Sequence, residues 1–189
     1  MGCGKSSVGR KLSELLCCPF MDLDAEIEAR CGCTVAEIFA ERGEAEFRML
    51  EKETLKDILE TDGRVLEISP SSSTPACKNQ EHPSNERPQM ILALGGGAVM
   101  TPECEKMVHE QTKCIYLRTS VKELVARLTD ESAGRPLLAS SDLKTRIETL
   151  MSLRMETYER TAHLIIDTDS KTIDEVGKEI ITRMATCKP

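Results

Sequence analysis

Met1-Gly2-Cys3-Gly4-Lys5-Ser6-Ser7 is the stretch that decides how this chain is read. Gly-x-Gly-Lys-Ser is the second half of a phosphate-binding loop, whose full pattern is G-x-x-x-x-G-K-[ST]. The glycines let backbone N–H groups turn inward and cradle phosphate oxygens. Lys5 can reach the β and γ phosphates, and the Ser6 hydroxyl can sit on Mg²⁺. A helix must follow, so that its positive end faces the anion. Val8, Leu12, Leu15 and Leu16 recur at the spacing of such a helix. The strand that delivers the loop and its first glycine would lie ahead of Met1. A shortened start with the first strand missing is therefore expected.

Composition narrows the class. The 189 residues are 40% hydrophobic and only 3% aromatic, so one domain with an aliphatic, Met-rich core is expected. The net charge of −7 argues against nucleic acid and anionic membranes as partners, while leaving room for a local basic site. No run of apolar residues is long enough to span a bilayer, and no signal peptide is present, which points to the cytoplasm. Nine cysteines occur without CxxC spacing, so reduced thiols serving as small hydrophobes are expected.

Strands and helices alternate along the chain. Phe20-Met21-Asp22 ends a short strand begun at Cys18. A helix is expected from Asp24, and Thr34-Val35-Ala36-Glu37 is a capping box opening the next. Gly43 ends that helix, and a longer one follows over about 44–59. Residues 68–89 hold a run of serines and four prolines with little to bury, and read as a disordered surface insertion. Met90-Ile91-Leu92-Ala93-Leu94 has the continuous apolar character of a buried parallel strand, and runs into Gly95-Gly96-Gly97. Cys114-Ile115-Tyr116-Leu117 and Leu164-Ile165-Ile166-Asp167 are further strands. Capping boxes start helices at Ser120 and Thr172, and a helix runs over about 142–161. The order predicts an α/β fold, a parallel sheet flanked by helices, in one domain over 1–189. Ligands in such folds bind at the carboxyl ends of the strands.

Three features fall at those ends: the loop at Gly2–Ser7, the Asp22/Asp24 pair and the glycine run. Residues two apart in an extended chain face one side, so Asp22 and Asp24 can share a pocket. One can help hold Mg²⁺ through water while the other accepts hydrogen bonds from a substrate hydroxyl. Alternatively, Asp24 is only a helix N-cap and Asp22 a solvated strand end. Gly95, Gly96 and Gly97 allow the backbone close to a ligand, unless they merely form a turn. Arg154 lies on the apolar stripe of Ile147, Leu150, Met151 and Tyr158, where an unpaired guanidinium is costly. It needs an anionic partner, either a substrate carboxylate or a structural one. Arg48 can be an ordinary helix ion pair with Glu44. Arg135, between Gly134 and Pro136, can close over a transferring phosphoryl group or be plain surface.

Together these residues resemble the shikimate kinase family. The resemblance rests on the Gly2–Ser7 loop, Phe20-Met21-Asp22-Leu23-Asp24, Val35-Ala36-Glu37-Ile38-Phe39, Phe47-Arg48 with Glu51, Gly95-Gly96-Gly97-Ala98-Val99, Arg135-Pro136-Leu137-Leu138, and Arg154 with Tyr158. It implies a P-loop kinase fold of the nucleoside-monophosphate-kinase type. It also implies transfer of the γ-phosphoryl of ATP to the 3-hydroxyl of shikimate with Mg²⁺, on the route to chorismate. On this resemblance Gly2, Cys3, Gly4, Lys5, Ser6, Ser7 and Arg135 bind ATP, and Ser6 and Asp22 face the metal. Asp24, Arg48, Gly95, Gly96, Gly97 and Arg154 bind shikimate, while Lys5, Asp24 and Arg135 act in catalysis. A monomer working on small molecules is expected. Two alternatives stay open: a gluconate-type kinase of the same fold, and a shortened, inactive relative.

Overall fold

Gly4 turns the chain into its first helix from left-handed backbone (φ 80°, ψ 18°), a conformation glycine adopts at little cost. That helix, α1 (Lys5–Leu16), buries Val8 and Leu12. The computed structural model describes residues 2–60, 88–131 and 140–186. The expected insertion therefore lies almost wholly outside the described residues, and Arg135 lies outside them altogether.

Strand β1 (Phe20–Asp22) leads directly into α2 (Leu23–Cys31). Helix α3 (Val35–Glu60) is broken at Gly43 (φ 82°, ψ 173°), where the sequence placed a helix end. Strand β2 (Ile91–Ala93) ends at the glycine run, and a 3-10 turn over Ala98–Met100 follows it. Then come α4 (Pro102–Gln111), β3 (Ile115–Arg118), α5 (Val121–Glu131), α6 (Ser140–Thr161), β4 (Leu164–Asp167) and α7 (Ile173–Thr186). Helix α4 is absent from the sequence reading. It starts with Pro102 in its first turn, where a missing N–H costs nothing.

The strands pair in parallel, as their continuous apolar runs predict. β1 pairs with β2 in the register Phe20 to Ile91, and β3 pairs with β4 in the register Ile115 to Leu164. Among the described residues these remain two separate two-stranded sheets. β2 and β3 both border a cavity of about 790 Å³.

Two apolar clusters hold the elements. One gathers Leu23, Ile27, Ile38, Phe47 and Leu55 from α2 and α3 with Val99 and Val108. The other joins Val8 and Leu12 of α1 to Ile166 of β4 and Val176 and Ile180 of α7. The capping boxes at Thr34 and Thr172 close in both directions: each threonine hydroxyl accepts an N–H at 3.2 Å, and each glutamate accepts the threonine N–H in return. At Ser120 only half the box forms. Glu123 turns to Arg127, and the Ser120 N–H donates to Asp169 instead.

Cys3, Cys18, Cys31, Cys33, Cys104 and Cys114 are free thiols, as expected. Burial pushes the Cys104 and Cys114 thiols up to about 11, so both are packing groups at neutral pH. Cys17 departs from that expectation, being disulfide-bonded.

Ile27 is fully buried in the cluster that carries α2. Ile27→Ala is expected to cost about 2–5 kcal/mol of stability by leaving a cavity. Urea unfolding followed by circular dichroism measures it.

Candidate active site

The site is built at the carboxyl ends of β1 and β2, where α1 also begins. No side chain caps α1, and no acidic residue sits in its first turn. Its first N–H groups and the positive end of its dipole are left for an anion. Lys5 is the first residue of that helix, half-buried and facing the cavity.

Ser6 and Asp22, expected together at a metal, are in direct contact. The Ser6 hydroxyl donates to Asp22 Oδ2 at 2.6 Å. Asp22 also caps α2, its Oδ1 accepting the Asp24 N–H at 3.1 Å. The capping role that the sequence offered to Asp24 thus belongs to Asp22. Asp24 is the second residue of the helix, in its first turn, and its carboxylate is not used as the cap. Burial pushes its carboxyl above the usual range; nearby Lys5 opposes this, while Asp22 and Glu28 add to it.

The glycine run explains how the charged groups meet. A side chain at Gly95 would lie 2.7 Å from Asp24 Oδ1 and 3.0 Å from Glu51 Oε1. One at Gly97 would collide with the Arg48 guanidinium. The backbone is therefore bare where two carboxylates and a guanidinium press against it. A plain turn would not require this.

Arg48 is more than a surface helix pair. Its Nη1 donates to Glu51 Oε2 at 2.7 Å and its Nη2 to Glu44 Oε1 at 3.1 Å. Burial works against its charge, but the bonds to Glu51 and Glu44 and their negative charges together outweigh this and raise its pKa. Glu51 is 1% exposed, and its Oε1 is the buried side-chain oxygen left without a partner among the described residues. Burial raises its pKa, with Arg48 pulling the other way. Sequence reading gave Glu51 no role of its own. Its signal was the three-residue spacing from Arg48 on one helix face, which looks the same for an exposed pair.

Arg154 reaches the site from α6 and donates to the Gly96 carbonyl at 3.1 Å. The Tyr158 hydroxyl donates to the same oxygen. Among the described residues no carboxylate pairs with Arg154, although it lies near enough to lower the pKa of Glu51. Its anionic partner is still to be supplied. Lys5, Asp24, Arg48, Gly95, Gly96, Gly97 and Arg154 thus converge on one place, with Ser6 and Asp22 beside it.

A raised carboxyl pKa means that the folded protein holds the proton more tightly than the unfolded chain. The Asp24 contribution to stability is then present below the ordinary carboxylate pKa and lost as pH rises through its folded value. Asp24→Asn is expected to flatten that part of the melting temperature against pH curve above pH 4 and to melt higher than wild type at pH 7 without ligand. Differential scanning calorimetry across pH 4–8 checks both.

The family model for shikimate kinase matches residues 1–82 and 80–185. A shikimate kinase of Bordetella pertussis is 37% identical over 184 residues, covering 97% of this chain and 74% of that protein. One of Thioalkalivibrio sulfidiphilus is 35% identical over 180 residues, covering 95% of this chain and 80% of that protein. Among solved structures, shikimate kinase from Acinetobacter baumannii in complex with shikimate superposes with a TM-score of 0.77 at 28% identity, covering 100% of this chain and 90% of that one. A family match over both halves of the chain, relatives above 30% identity, and a shared fold around this cluster of charges agree: the chain belongs to the shikimate kinase family.

Proposed function

We propose that this chain phosphorylates the 3-hydroxyl of shikimate with ATP, using the charged cluster against Gly95-Gly96-Gly97 to hold the acceptor. The observation that carries the reading is Arg154. A half-buried guanidinium with, among the described residues, only the Gly96 carbonyl to bond calls for an anion, and a planar carboxylate suits its fork. Arg48, held by Glu51 and Glu44, lies against Gly97 of the same run and is the second arginine of the clamp. Asp24 and the unpartnered Glu51 Oε1 face the position where acceptor hydroxyls would lie.

In the proposed reaction the acceptor oxygen bonds to the γ phosphorus as the bridging oxygen bond to the β phosphate breaks. ADP leaves, and the hydroxyl proton passes to Asp24 or to water. Lys5 and the N–H groups of Gly2, Cys3, Gly4, Ser6 and Ser7 hold the phosphates. The raised pKa of Asp24 suits a group that orients a hydroxyl and takes its proton late. Arg135, outside the described residues, is assigned to the phosphates as a closing cation.

Ser6 and Asp22 suit Mg²⁺. They are two hard oxygen donors in contact, and among the described residues no cluster of three or more ligating side chains exists. Mg²⁺ is held by one or two such groups together with substrate phosphates. When bound, the ion neutralises charge building on those phosphates. The cytoplasm, a monomeric state and small molecules as the sole partners complete the proposal. Among the described residues no helix is long and apolar enough to cross a membrane.

The purified chain with ATP, Mg²⁺ and shikimate should yield ADP and shikimate 3-phosphate in equal amounts, read by coupled assay and mass spectrometry. A folded chain that yields neither, or that phosphorylates gluconate faster, overturns the reading. Arg154→Ala should raise the KM for shikimate about 30-fold or more, the cost of removing one partner of a buried charge pair, while the KM for ATP stays within twofold. Steady-state kinetics with each substrate varied separates the two.

A further inference from the structure

The carbonyls of the glycine run are held in two different ways. The Gly95 carbonyl accepts the Ala98 N–H at 3.1 Å and the Gly97 carbonyl accepts the Met100 N–H at 2.9 Å, so both are fixed by the 3-10 turn that follows. The Gly96 carbonyl is held from outside that turn. It accepts one bond from Arg154 Nη1 at 3.1 Å and one from the Tyr158 hydroxyl. A carbonyl oxygen has two lone pairs, and each donor takes one. Both donors come from α6, four residues apart and so on one face of that helix.

The two donors differ in what they can do next. Tyr158 is neutral and anchored. Its ring packs on Tyr116 with centroids 5.2 Å apart, and it lies against the apolar cluster that holds Leu23, Ile27 and Val99. Arg154 carries its charge on a long flexible stem, and a carboxylate attracts it more strongly than a neutral carbonyl does. When Arg154 turns its fork to a carboxylate, its bond to Gly96 is given up. Without Tyr158 the half-buried Gly96 oxygen would then be left bare, and binding would be weakened by that cost. With Tyr158 present the oxygen keeps a donor, and the glycine backbone keeps its tether to α6.

We propose that Tyr158 is a positioning residue for acceptor binding: it keeps the Gly96 carbonyl bonded so that Arg154 can exchange that carbonyl for the acceptor's carboxylate. The inference rests on the kinase reading above, which supplies the carboxylate. Tyr158 touches no substrate in this scheme and acts only through Arg154 and the Gly96 backbone. The exchange takes place when the acceptor binds, before phosphoryl transfer, and away from the phosphate loop. Tyr158 therefore bears on the KM for shikimate and leaves kcat and the KM for ATP alone. Its effect also vanishes when Arg154 is absent. In Arg154→Ala the carbonyl has the same partners before and after binding, whether or not the Tyr158 hydroxyl is there.

The test compares the wild-type chain with Tyr158→Phe, Arg154→Ala and the double variant. Phenylalanine keeps the ring on Tyr116 and removes only the hydroxyl. Expected for Tyr158→Phe is a rise of about tenfold in the KM for shikimate, the ordinary effect of leaving a buried acceptor unbonded, with kcat and the KM for ATP within about twofold. In the Arg154→Ala background the same change should alter kcat/KM for shikimate by less than about twofold. An unchanged KM overturns the inference, and so does an equal loss in both backgrounds, which marks a packing role independent of Arg154. A second measurement uses the wild-type chain alone. With Gly96 labelled at its carbonyl carbon, saturation with shikimate should move that NMR resonance upfield as one of its bonds is lost; a downfield move, or none, overturns the inference. A wild-type chain that neither binds nor phosphorylates shikimate fails at the kinase reading and takes the inference with it. A chain that phosphorylates shikimate while Tyr158→Phe behaves as wild type sinks the inference alone.

Discussion

Bare backbone at Gly95 and Gly97 is the constraint on which the site depends. Asp24 comes from α2, Arg48 and Glu51 from α3, and Arg154 from α6, and each approaches the same three residues. A single methyl group at Gly95 would meet two carboxylate oxygens, and one at Gly97 would meet a guanidinium. Those atoms are side-chain ends, so admitting a methyl group means moving them away from the backbone and breaking up the cluster. The strand that carries the glycines is in turn held by β1 pairing and by the apolar cluster beneath it.

The charges are arranged so that each is incompletely answered. Glu51 gives one oxygen to Arg48 and keeps the other unbonded in a buried position. Arg154 has a carbonyl where a carboxylate would bind more strongly. Asp24 and Glu51 are both pushed toward the protonated form, chiefly by burial. A protein optimised only for stability would pair or remove such groups. On the proposed function, their cost in the free chain is recovered when a ligand bearing both a carboxylate and hydroxyls supplies the missing partners. The phosphate side follows the same logic: α1 is left uncapped and its first-turn N–H groups await an anion.

The split sheet belongs to a different part of the molecule but touches the same strand. Among the described residues β2 pairs with β1 alone, and it runs directly into the glycine run. The parallel pairing of such short strands relies on helices packed over them, since each ladder alone is too brief to persist.

Much of this was legible in the residues. Capping boxes at Thr34 and Thr172, apolar runs at 90–94, 114–117 and 164–167, and the break at Gly43 depend on neighbours a few positions apart, so local chemistry suffices to read them. Helix α4 escaped because Pro102 and a weakly periodic, charged stretch resemble a loop until Cys104 and Val108 are seen packed in the core. The sequence by itself determined the family and the strand and helix order apart from α4, and it singled out the residues proposed to bind phosphate and carboxylate. It could not decide which aspartate caps α2, that Glu51 is buried rather than solvated, or that Arg154 is left without a carboxylate among the described residues. Those outcomes turn on distances between elements far apart in the chain. Burial changes the cost of a charge by more than any local pattern records, and burial exists only once the chain has folded.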